Sequence, residues 1–242
     1  MATVTYLKAR QILDSRGTPT VEADMRLDNG NICRASVPSG ASTGSYESVE
    51  LRDKDKNKFN GKGVLKAIEN INSIISKEIK NKEFQTINEF DSFLINLDGT
   101  DNKSKIGANA ILACSMAFMK CSASNMNKEI YEFLNPDGPY LLPTPLMNII
   151  NGGAHANNGL DIQEFMIVPA GFDTFSESLR AGVEIFMSLK QILEKKNYST
   201  AVGDEGGFAP DLKSNQDALD LISISIKDAG YKLGEEVYLA LD

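Results

Sequence analysis

Two stretches of different rhythm predict the fold class: an α+β N-terminal domain over 1–135, followed over 136–242 by the first part of a βα barrel, truncated at Asp242. Three observations carry this. The chain opens with alternating strands and a turn, followed by helical segments. NPDGPYLLPTP, with four prolines, then punctuates it at 135–145. Beyond that point short, nearly continuous apolar runs are separated by helical patterns, as in a sheet covered by helices.

In order along the chain, TVEADMRL at 20–27 alternates Val21, Ala23, Met25 and Leu27 with charged residues, the period of a half-buried strand. Asp28-Asn29-Gly30 supplies a hairpin turn, and a second strand is expected over Ile32 to Val37. GKGVLKAIENINSIISKEIK spaces Leu65, Ile68, Ile71, Ile75 and Ile79 three or four apart, which predicts an amphipathic helix. The segment Asn109 to Ser122, rich in Ala, Ser, Cys and Met on every side, predicts a helix packed between neighbours.

In the second half, strands are expected at Leu146 to Ile150, Phe165 to Val168, Ala201 to Gly203 and Val237 to Leu241. Thr174 with Glu177 marks the start of a helix reaching about Lys195, and Ser214 with Asp217 starts another that Gly230 closes. Only NGGAHANNGLDIQE lies between the first two of these strands. With no room for a crossover helix, the second strand should run antiparallel to the first.

A formal charge of −8, with Lys and Arg scattered among acids, excludes the basic stripe that nucleic acid requires. No apolar run is long enough to span a bilayer, and the first residues do not resemble a signal peptide, so a cytoplasmic location is expected. Cys33, Cys114 and Cys121 form no CxxC pair. One histidine cannot complete a Cys/His zinc set, so the cysteines read as reduced.

That histidine, His155, sits in the loop after the first barrel strand, and Glu164 begins the second. STAVG runs straight into DEGG, carrying Glu205, and the last strand ends on Asp242. If the last two strands run parallel to the first, these four groups share the rim where barrel enzymes collect catalytic residues. Glu164, Glu205 and Asp242 there suit a hard divalent cation, proton transfer, or both. Taken singly, each motif also reads as an exposed turn or a helix cap.

Taken in order, VPSGASTGSYESVELRD, GTDNKSKIGANAIL, NIINGGAHANNGLDIQEFMIVPAG, AVGDEGGFAP and LALD closely resemble the enolases, from ARQILDSRGTPTVE to the last residue. The resemblance implies an N-terminal lid domain and a TIM-like barrel beginning β-β-α-α. It implies interconversion of 2-phosphoglycerate and phosphoenolpyruvate, with two Mg2+ ions neutralising charge on the intermediate. By motif, Asp242 corresponds to one of three carboxylate ligands of the tighter magnesium. Ser42, in the lid loop Ser39, Gly40, Ala41, Ser42 and Thr43, corresponds to a ligand of the second. Glu205 corresponds to the general acid, Glu164 to its acidic neighbour, and His155 to the histidine that closes on the substrate. Enolases are homo-oligomers, dimers or higher, and the region of Arg10, Arg16 and Glu22 resembles their subunit interface.

The other two metal carboxylates, the catalytic base lysine and the groups that grip phosphate have no counterpart here. The expectation is therefore a fragment that is inactive alone and prone to associate through its exposed sheet. The alternative is a non-catalytic enolase-like protein that serves in binding or dimerisation.

Overall fold

The computed structural model describes residues 2–28, 30–40 and 44–242. The chain divides into two compact units, 1–140 and 141–242.

The first unit is built on a four-stranded antiparallel sheet in the order β3-β2-β1-β4. Its strands are β1 (Ala2–Leu13), β2 (Pro19–Leu27), β3 (Cys33–Ser36) and, much later, β4 (Glu83–Phe84). The alternation of β2 faces Val21, Ala23 and Met25 into the core, each fully buried. The turn joining β2 to β3 includes Asn29, which lies outside the described residues, as do Ala41, Ser42 and Thr43 of the expected lid loop.

One helical run follows in three pieces: α1 (Leu65–Glu69), a π-helical segment (Asn70–Ile75) and α2 (Ser76–Ile79). Ile68, Ile71, Ile75 and Ile79 are buried as their spacing predicts, but Leu65 is half exposed because Val64 takes the inward position at the helix start. From the π segment the Asn72 amide caps the edge of β1. Its Oδ1 accepts from the Ala9 N–H at 2.8 Å, and its Nδ2 donates to the Ala9 carbonyl at 3.1 Å.

The helix α3 (Ile87–Asp98) is capped by Thr86, whose hydroxyl accepts from the Glu89 N–H, and is closed by Gly99 in the left-handed region. The central helix α4 (Ala108–Asn125) is buried around most of its circumference, and a short α5 (Ile130–Leu134) follows. Phe90 of α3 stacks on Phe118 of α4 at 4.2 Å, with Phe84 set edge-on to both.

The second unit carries a three-stranded sheet, β5 (Met147–Asn151), β6 (Glu164–Val168) and β7 (Tyr238–Leu241), in that order. As the missing crossover helix predicts, β5 and β6 are antiparallel. Because β7 is antiparallel to β6, it runs parallel to β5. The helices α6 (Phe175–Lys195) and α7 (Asn215–Asp228) start at Thr174 and Ser214, whose hydroxyls accept from the Glu177 and Asp217 N–H groups. Both helices join one core with the strands, through Ile185, Leu189 and Ile222 against Ile150, Phe165 and Ile167.

One expected strand differs. At Ala201 to Gly203 there is no continuous strand, only a bridge at Val202 to Phe208. The glycines of DEGG turn the chain back at once. Gly203 N–H donates to the Gly207 carbonyl at 2.8 Å, and Ala209 N–H to Ala201 at 2.8 Å. The returning limb, not the outgoing one, covers the free edge of β5, through Asn151 N–H to Phe208 O and Phe208 N–H to Ile149 O, both at 2.9 Å. Among the described residues no helix is long and apolar enough to cross a membrane.

Candidate functional site

Three side chains of the second unit meet where β5 ends and β6 begins. Asn151 of β5 is paired with Glu164 of β6, so Glu164 stands at the mouth of the hairpin loop. Within that loop Gly153–His155 forms a single 3-10 turn, and Gly153 takes φ 51°, a left-handed conformation that a side chain would strain. The turn directs His155 inward, where only 6% of it is exposed. Asn158 holds the loop closed by donating from Nδ2 to the carbonyls of Asn151 at 2.9 Å and Pro210 at 3.1 Å.

The DEGG turn delivers the third group. The Asp204 N–H donates to the His155 carbonyl at 3.1 Å, which ties the tip carrying Glu205 to the histidine loop. Gly203 allows this approach, since a Cβ there would fall 2.7 Å from the His155 carbonyl oxygen, and Gly207 lets the turn pack on β5, where a Cβ would fall 2.6 Å from Asn151 Oδ1 and 2.8 Å from the backbone of Ile149 and Ile150. His155, Glu164 and Glu205 then offer ligand atoms all within 4.8 Å of one another. His155 Nδ1 lies 3.6 Å from Glu164 Oε1, beyond hydrogen-bond reach, and has no hydrogen-bond partner among the described residues. A buried imidazole nitrogen beside a carboxylate, with no hydrogen bond to it, is available to a bound ligand.

Asp242 is held beside this group by its backbone. Its carbonyl accepts from the Gln163 and Glu164 N–H groups at 3.0 Å each, and its N–H donates to Glu164 O at 3.2 Å. Its side chain is exposed and belongs to no cluster of three ligating groups among the described residues. Magnesium requires near-octahedral oxygen ligands. The one cluster of three found among the described residues contains an imidazole, so these residues do not by themselves fit a magnesium ion.

In the first unit, the described start of the expected lid loop is firmly held. The Ser39 carbonyl accepts from Arg16 Nη2 at 2.6 Å, and its hydroxyl accepts from Arg52 Nη2 at 2.9 Å. Arg10 forms part of a cross-strand charge network within the chain. It pairs with Glu22 and Asp24, and Arg34 donates to Asp24 from Nε at 2.8 Å. Hydrogen bonds from Arg34, and then from Arg10, outweigh the cost of burial and hold the Asp24 carboxyl at about 2.

Asn151 carries no chemical motif of its own in the sequence. Its side chain is fully buried beside Gly203 and Gly207 of the turn carrying Glu205, and neither amide atom has a hydrogen-bond partner among the described residues. Only its place at the end of an apolar strand, before two glycines, marks it out.

An α+β domain followed by strands and helices of a barrel, with histidine and carboxylates at the strand ends, is the framework of a barrel enzyme with a separate N-terminal domain. Residues 4–134 match the family model described as Enolase, N-terminal domain, and residues 139–242 match Enolase, C-terminal TIM barrel domain. The chain belongs to the enolase family.

Proposed function

We propose that this chain supplies part of the active site of a phosphopyruvate hydratase, a carbon-oxygen lyase that interconverts 2-phosphoglycerate and phosphoenolpyruvate in glycolysis and, in reverse, in gluconeogenesis. The observation that carries the proposal is the convergence of His155, Glu164 and Glu205 within 4.8 Å. A carboxyl group at the tip of a turn is placed to protonate a departing hydroxyl, the role assigned to Glu205. Glu164 is its partner in proton movement. His155, with a free Nδ1 facing the carboxylates, is assigned to contact the substrate. Two Mg2+ ions per site are the proposed cofactor, with Asp242 and Ser42 contributing ligands within a larger set. A homo-oligomer, dimer or higher, and a cytoplasmic location belong to the same proposal, and the boundary between lid and barrel domains is placed at 135/136.

On this reading residues 1–242 are inactive alone, because one metal carboxylate and no base lysine are assigned within them. The test is formation of phosphoenolpyruvate from 2-phosphoglycerate with magnesium, measured on residues 1–242 and on a mixture with the complementary barrel segment of another enolase. Turnover in the mixture alone, abolished by Glu205→Gln, is the expected result. Ordinary enolase turnover by 1–242 alone would contradict the assigned incompleteness. Silence in both samples, from folded protein, would favour a non-catalytic binding or dimerising protein.

A further inference from the structure

Two cysteines outside the site just described converge on one spot of the first unit. Cys33 opens β3 directly opposite Met25 of β2. Along β3, Ala35 is buried whereas Arg34 and Ser36 are exposed, so Cys33 shares the inward face with Ala35 and packs against the core at its rim. From α4, Cys121 points at the same place: its Sγ donates to the Met25 carbonyl at 3.1 Å. Both sulfurs also address the Asn31 carbonyl, Cys33 at 4.0 Å and Cys121 at 3.9 Å.

We propose that Cys33 and Cys121 are a thiol pair that a hydroperoxide converts to a disulfide, a modification that ties the start of β3 to α4. Cys114, two turns earlier on α4 and fully buried, takes no part. Access sets the order of events. Cys33 is partly exposed, whereas Cys121 is buried, and that burial, followed by the neighbouring Cys33 side chain, pushes the Cys121 thiol up to about 12.

Cys33 therefore attacks first, as thiolate. A sulfur–oxygen bond forms, the peroxide O–O bond breaks, and hydroxide leaves and takes up a proton to become water. The resulting sulfenic acid is attacked by Cys121 sulfur. The S–S bond forms, the S–O bond breaks, and the second water carries away the Cys121 proton. Two thiols are oxidised together as one peroxide is reduced to two waters.

The experiment exposes the folded 242-residue chain to dilute hydrogen peroxide, counts free thiols after denaturation and maps the peptides by mass spectrometry. Free thiols should fall from three to one. The map should show one intramolecular cross-link, Cys33 to Cys121, which dithiothreitol reverses. Cys114→Ser should still lose two thiols, and Cys33→Ser should form no cross-link. Sulfinic acid on Cys33 without a cross-link, or the same mixture of cross-links from the folded chain and from the chain in urea, would overturn the proposal. The wild-type map decides the matter even if a variant fails to fold.

Discussion

The two units differ in where their buried charged and amide side chains find partners. In the first, Asp24 is almost fully buried but engages Arg10 and Arg34, and Asp98, equally buried, accepts from the Thr100 N–H at 3.0 Å and the Ile106 N–H at 2.6 Å. In the second, Asn148, Asn151 and His155 bury side-chain atoms with no hydrogen-bond partner, and all three lie at or just beyond β5. Satisfied polar groups hold a fold together, whereas unsatisfied ones carry a cost that a bound partner offsets. Among the described residues the first unit also leaves Asp91 Oδ1 and Ser122 Oγ unpartnered, one on α3 and one on α4, whereas the unpartnered groups of the second gather at the end of β5 and at His155.

That contrast can be broken in order of expected effect. Phe90→Ala empties the centre of the first unit, where the ring is wholly buried and stacked on Phe118, and should cost about 3–5 kcal/mol in urea unfolding. In the second unit Gly207→Ala presses a methyl group against the backbone of Ile149 and Ile150 and should cost up to about 3 kcal/mol. The adjacent Gly206→Ala meets no neighbouring atom, but its φ of 83° makes about 1 kcal/mol the expected loss. A smaller gap between the two would mean that the DEGG turn does not need close contact with β5.

Asp24 gives the first unit a pH signature. Its folded value of about 2 lies below the ordinary 3.8, so its contribution is fully present above about pH 4 and is lost as pH falls through about 2. At most about 2 kcal/mol is involved, since both arginines reach solvent. Unfolding curves of wild type and Asp24→Asn should therefore converge as the pH approaches 2. Curves that stay equally far apart down to that pH would remove the network from the account.

Much of this contrast was legible in the sequence, but unevenly. Strict alternation made β2 readable, and capping residues at Thr174 and Ser214 marked the long helices of the second unit. The missing crossover helix implied the antiparallel β5–β6 pair. β1 escaped notice because its register shifts between Val4 and Tyr6, which breaks the period of two. α3 carries its signals only at its ends, in Thr86, Glu89 and Gly99. Ala201 to Gly203 is strand-like in composition, but the turn that follows leaves only a bridge.

At the site, the order of motifs pointed to His155, Glu164, Glu205 and Asp242. Local sequence does not encode which side chains converge in space. Three of the four group together, whereas Asp242 is held alongside through its backbone.

The most direct test of the contrast is the unfolding free energy of His155→Leu, measured beside Asp24→Asn at neutral pH. Because buried His155 Nδ1 has no hydrogen-bond partner among the described residues, replacement of His155 by an apolar side chain of similar size should leave stability unchanged or raise it, while Asp24→Asn lowers it. If His155→Leu lost as much as Asp24→Asn, His155 would be a structural residue, and the claim that the second unit holds it open for a ligand would fail.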